Sequence, residues 1–133
     1  MRGATTASLA LVCAASFVVS PILILQGEWV VRKTGALAPH ESFHPIAKRF
    51  LVAFEMTALG LASLAARSCV VGSASDRVFW ARLLLLPCAS LCTTLSLFGY
   101  EEGHPMHRKN AGAKIFAALT AALLVGGVVA PER

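Results

Sequence analysis

Four long apolar stretches divide the chain, and short polar runs separate them. They span about residues 4–25, 45–67, 78–99 and 110–130. Each holds roughly the 20 residues that a helix needs to cross about 30 Å of hydrocarbon. The pattern predicts an all-α, integral membrane four-helix bundle, with residues 1–133 forming one transmembrane domain. The first stretch follows Met1 and Arg2, as a leader would, and we expect it to be retained as a first span. Pro21 lies late in that stretch and predicts a kink that frees the carbonyl of Phe17.

The polar runs fit the same frame. Trp29, Arg32 and Lys33 follow the first span, and Trp80 and Arg82 lie at the start of the third, as at a membrane–water boundary. His44-Pro45 opens the second span, since proline is well tolerated at a first helical position. Residues 68–77, with Gly72 and three serines, read as the connection between spans two and three. Four crossings put both termini and this connection on one side of the membrane, and the two His-Pro loops on the other.

Composition sharpens the membrane reading. The chain of 133 residues is 56% hydrophobic and 14% charged, with a mean hydropathy of +0.69. A soluble domain of this size carries about a quarter charged residues and cannot bury such apolar excess. The net charge of +5 comes from Lys and Arg that flank the spans, which favours helix orientation over nucleic-acid binding. Seven of the twelve basic residues fall on the His-Pro side, a slight bias toward that side facing cytoplasm, matrix or stroma. Cys13, Cys69, Cys88 and Cys92 form no Cys-x-x-Cys pair and read as small packing residues.

Two segments 60 residues apart resemble each other. Glu41, His44, Pro45, Lys48 and Arg49 are echoed by Glu101, His104, Pro105, Arg108 and Lys109. The helices that follow carry small residues in step, Ala58, Ala62 and Ala66 against Ala118, Ala122 and Gly126. Small residues at a four-residue spacing let helices approach closely. The chain therefore reads as two repeated helical hairpins, by duplication or by convergent helix starts.

Two places hold candidate chemistry. All four histidines, His40, His44, His104 and His107, lie in the two loops assigned to one side, together with Glu41 and Glu101. Imidazole and carboxylate donors of this kind suit zinc, iron or copper. The plainer reading makes them headgroup-level residues and helix caps. The second place is Glu55, a carboxylate inside a span, which by default marks function. It is expected to face the bundle, with Lys114, Thr93 or Thr94 as conceivable partners.

No span carries a mid-helix histidine of the kind that haem ligation needs, and no phosphate loop or catalytic triad is present. The expected function is therefore a small non-catalytic accessory subunit of a large membrane complex, in the mitochondrial inner membrane or, alternatively, a thylakoid. Its expected partners are other membrane subunits and structural lipids, with no organic cofactor. The alternatives are a metal-dependent oxidoreductase or quinone- or lipid-modifying enzyme built on the His/Glu loops, and a small transporter or channel with Glu55 in its path.

Overall fold

The computed structural model of the chain describes residues 3–33, 37, 41–98 and 111–133. The described residues form four helices, each long and apolar enough to cross a membrane, and the chain is an integral membrane protein of the four-helix-bundle class. They are α1 (Ala4–Lys33), α2 (Pro45–Val71), α3 (Ala74–Phe98) and α4 (Ala111–Leu124). A π-helical turn, Val125–Val129, continues α4 and is closed by the Ala130 N–H donating to the Val125 carbonyl at 2.8 Å.

The helices outrun the apolar stretches. α1 continues eight residues past the predicted end at Leu25, because Glu28 and Arg32 form an i,i+4 ion pair of 3.0 Å. The Lys33 ammonium also lies 5.9 Å from the Trp29 ring. The kink in α1 is at Gln26 (φ −134°, ψ 39°), five residues beyond Pro21. Apolar α1 thus ends where its direction changes, and the following turns carry the polar residues suited to the headgroup layer.

α2 continues past Arg67 to Val71, and α3 starts at Ala74 rather than Val78. The connection between them is therefore Gly72 and Ser73 alone. A capping box sets the start of α3. The Ser73 N–H and hydroxyl both donate to Asp76 Oδ2 at 2.8 Å, and the Asp76 N–H returns to the Ser73 hydroxyl at 3.2 Å. At the other end of α2, His44 is the N-cap: its Nδ1 accepts from the Ile46 N–H at 3.2 Å, with Pro45 in the first turn.

The helices pack as two antiparallel hairpins, α1 on α2 and α3 on α4. In the first, the Cys13 thiol donates to the Ala62 carbonyl at 3.4 Å, and a Cβ at Gly27 would stand 2.8 Å from Leu51 Cδ2. Between these two points Glu55 falls level with residues 20–23 of α1. In the second, the Cys92 thiol faces the Ala113 carbonyl at 3.7 Å, and Gly112 lies against Leu95. α1 also touches α3 and α4, whereas α2 and α4 make no close approach among the described residues.

The core is off-centre. Its buried side chains are Leu9, Val12, Cys13, Ala65, Ala81, Leu84, Cys88, Leu119 and Leu123. All belong to the half of the bundle that holds residues 3 and 133. In the other half the hairpins leave large apolar groups outward: Leu25 is 82% exposed and Phe50 72%. Trp80, assigned to the interface by its sequence position, packs against the core edge-on to Phe79, with ring centroids 5.8 Å apart.

Candidate functional site

The polar groups of the described bundle concentrate in two places, one at its terminal edge and one at the α1–α2 seam.

The terminal edge is built on Glu132. The last turn folds this residue back over the N-terminus of α1, whose first amides lack helical partners. Glu132 Oε1 accepts from the Gly3 N–H at 3.1 Å, the Thr6 N–H at 3.0 Å and the Thr6 hydroxyl. Oε2 accepts from Arg77 Nε at 2.7 Å, and Arg77 also donates to the Gly72 carbonyl at 2.8 Å. The side chains of Arg77 and Glu132 are only 15% and 12% exposed.

One carboxylate thus ties the start of α1, the α2–α3 connection and the end of the chain. The helix dipole favours the negative charge there. The Glu132 carboxyl is held well below its usual range, at about 2, chiefly by the Thr6 hydroxyl. Burial opposes that shift, and the Arg77 bond, the Thr6 amide and the Arg77 charge reinforce it.

The π-turn supplies the rest of this edge. Widening the helix there leaves carbonyls outside the α-helical ladder. Thr5 Oγ1 donates to the Gly126 carbonyl and accepts from the Glu132 N–H at 2.9 Å. Arg82 Nε donates to the Gly127 carbonyl at 2.8 Å. Gly126 is required by contact: a Cβ there would stand 2.3 Å from Ser8 Oγ and 2.8 Å from the Ala4 carbonyl. None of Glu132, Arg77 or Thr5 was singled out from sequence. The available signal was topological, since Glu132, Arg77 and residue 5 were all assigned to one side.

The seam holds Glu55. It is 7% exposed. Among the described residues its carboxylate makes no hydrogen bond or ion pair, and no unbonded side-chain polar atom is sealed from the surface. The carboxylate head is therefore not wholly sealed, and it keeps a small accessible area at membrane depth. The predicted partners lie elsewhere. Lys114 is exposed on α4, which does not approach α2, and the exposed Thr93 hydroxyl donates to its own helix at Ala89 (2.9 Å), with Thr94 also exposed. Level with Glu55, Ser20 is buried, and its hydroxyl pairs with Ser16 at 3.3 Å.

The remaining predicted residues divide. His40, His104, His107 and Glu101 lie outside the described residues. His44 caps α2, and Glu41 is exposed, its backbone carbonyl accepting from Arg32 at 2.8 Å. Among the described residues no three His, Cys, Asp or Glu side chains gather as a metal site.

Of the small-residue ridge on α2, Ala62 is buried while Ala58 and Ala66 are half-buried. The stripe that α2 buries is Glu55, Ala62, Ala65 and Ser68. On α4 Gly126 is buried and Ala122 half-buried, but Ala118 is exposed. The buried row there runs through Leu119, Leu123 and Gly127, the same four-residue step set one residue further along the helix. No family model, no curated protein and no solved structure matches this chain.

Proposed function

We propose that this chain is a non-catalytic accessory subunit of a larger membrane assembly, docked through the α1–α2 seam around Glu55. The observation that supports it is the state of that carboxylate: nearly covered, at membrane depth, bonded to no described group, and not wholly sealed. A carboxylate at such depth is costly unless a partner satisfies it. A donor side chain on a helix of another subunit is the partner of matching chemistry. The outward Phe50, Phe54 and Met56 on the same half of α2 supply apolar surface around it. Energy-transducing membranes, the mitochondrial inner membrane or the thylakoid, are the proposed setting, since their large complexes collect small helical subunits of this composition.

The deciding experiment is mild detergent extraction from the native membrane, followed by native gel and mass spectrometry with metal analysis of the same band. A large complex of fixed stoichiometry that Glu55→Leu abolishes, with the isolated chain still folded, is the expected result. Migration as a free chain would overturn it, and one metal per chain would favour the oxidoreductase reading. A second reading has one observation behind it, the buried Ser20 level with Glu55, which together could pass a proton or cation. Loss of ion flux in liposomes on Glu55→Gln would support transport instead.

A further inference from the structure

Beside the terminal network lies an open groove of about 700 Å³, lined by Ser75, Val78, Phe79, Arg82, Leu83 and the last three residues, Pro131, Glu132 and Arg133. Its lining combines cationic and apolar side chains. Arg82 is held in place by the bond from its Nε to the Gly127 carbonyl, and its terminal nitrogens bond no described residue. Arg133 is exposed beside it. The groove's acidic side chain, Glu132, is already matched to Arg77 and Thr6. The groove therefore presents uncompensated guanidinium.

The apolar part of the lining lies alongside Arg82 on α3. Phe79, Leu83 and Leu86 follow at i, i+4 and i+7 on α3, all exposed, forming one stripe that leads from the groove toward the membrane centre. Arg82 stands eight residues into α3, roughly 12 Å along the axis, a depth from which an arginine reaches the headgroup layer.

We infer that this groove is a binding site for an anionic phospholipid. The phosphate would sit against Arg82 and Arg133, and an acyl chain would run down Phe79, Leu83 and Leu86. A basic pocket against a span, with an apolar track running on from it, matches both parts of such a lipid, whereas a free anion would use only the guanidinium groups. A planar guanidinium whose Nε is anchored keeps its outer pair of nitrogens in the fork that phosphate oxygens accept.

The test uses the full chain, purified in mild detergent and titrated with phosphatidylglycerol or phosphatidylcholine of matched acyl chains. Bound lipid is read by native mass spectrometry. Preferential retention of phosphatidylglycerol is expected, falling about fivefold for each arginine removed in Arg82→Gln and Arg133→Gln. Phe79→Ala should weaken both lipids alike. Arg133→Gln keeps the test sound if Arg82→Gln misfolds, because Arg133 is exposed and lies outside the helices. Equal retention of the two lipids would overturn the site. So would a preference that survives Arg133→Gln and Arg82→Lys unchanged but disappears in inorganic phosphate, which would mark a simple anion site.

Discussion

The molecule holds two nearly covered carboxylates in opposite circumstances. Glu132, at the terminal edge, collects donors from Gly3, Thr6 and Arg77. Glu55, in the seam, has no hydrogen-bond or ion-pair partner among the described residues. The difference follows the packing around them. In the terminal half four helices converge on small residues, Ala65, Ala81, Gly126 and Gly127, close enough for one side chain to reach three segments. The buried core does not extend into the other half. A satisfied carboxylate holds a fold together, and an unsatisfied one at membrane depth invites something from outside.

The contrast can be broken from the satisfied side first. Glu132→Ala leaves Arg77 and the first amides of α1 without their acceptor, a loss of about 2 kcal/mol for charged hydrogen bonds at a partly wet edge. It should appear as the largest fall in thermal midpoint in detergent and as protease cleavage near Gly3. Gly126→Ala comes next, since its methyl would drive into Ser8 and the Ala4 carbonyl. About 1–3 kcal/mol of overpacking is expected, read by the same melt.

Acid should loosen the terminal edge over a defined window. The Glu132 carboxyl titrates at about 2 in the folded chain against 4.5 for the ordinary group. Its contribution is therefore complete above about pH 4.5 and is lost as pH falls toward 2. Hydrogen exchange at Gly3 and Thr6 should rise across that interval, and exchange that is flat with pH would contradict the assignment. On the unsatisfied side, Glu55→Leu should leave the melt of the isolated chain unchanged or raise it, because no bond is lost and a desolvation cost disappears. A fall as large as that of Glu132→Ala would show that the seam carboxylate serves the fold. The smallest effect belongs to Gly60→Ala, where an added methyl meets nothing within 4 Å. Helix propensity alone acts there, and the melt should not fall.

Much of the fold was legible because lipid reads one property, apolar length, and four stretches carry it. The helix ends were less so. Polarity at Glu28 to Lys33 suggested a loop, but a four-residue spacing between Glu28 and Arg32 sustains the helix in the headgroup layer. Ser73 and Asp76 spelled a capping box that apolarity counting passes over. The His44 cap was readable locally, from a histidine before a proline. Glu55 was readable as an oddity, but its partners were not, since Lys114 is placed by a helix that never reaches α2. The terminal network was the least legible part. Its groups are 55 to 129 residues apart, and only the folded bundle makes them neighbours.

That separation also sets an order in time. Glu132 leaves the ribosome 129 residues after Gly3, roughly ten seconds later at common elongation rates. Throughout that interval the first turn of α1 has no acceptor for its amides, and Arg77 has no counter-ion. The two hairpins must therefore enter the membrane before their clasp exists.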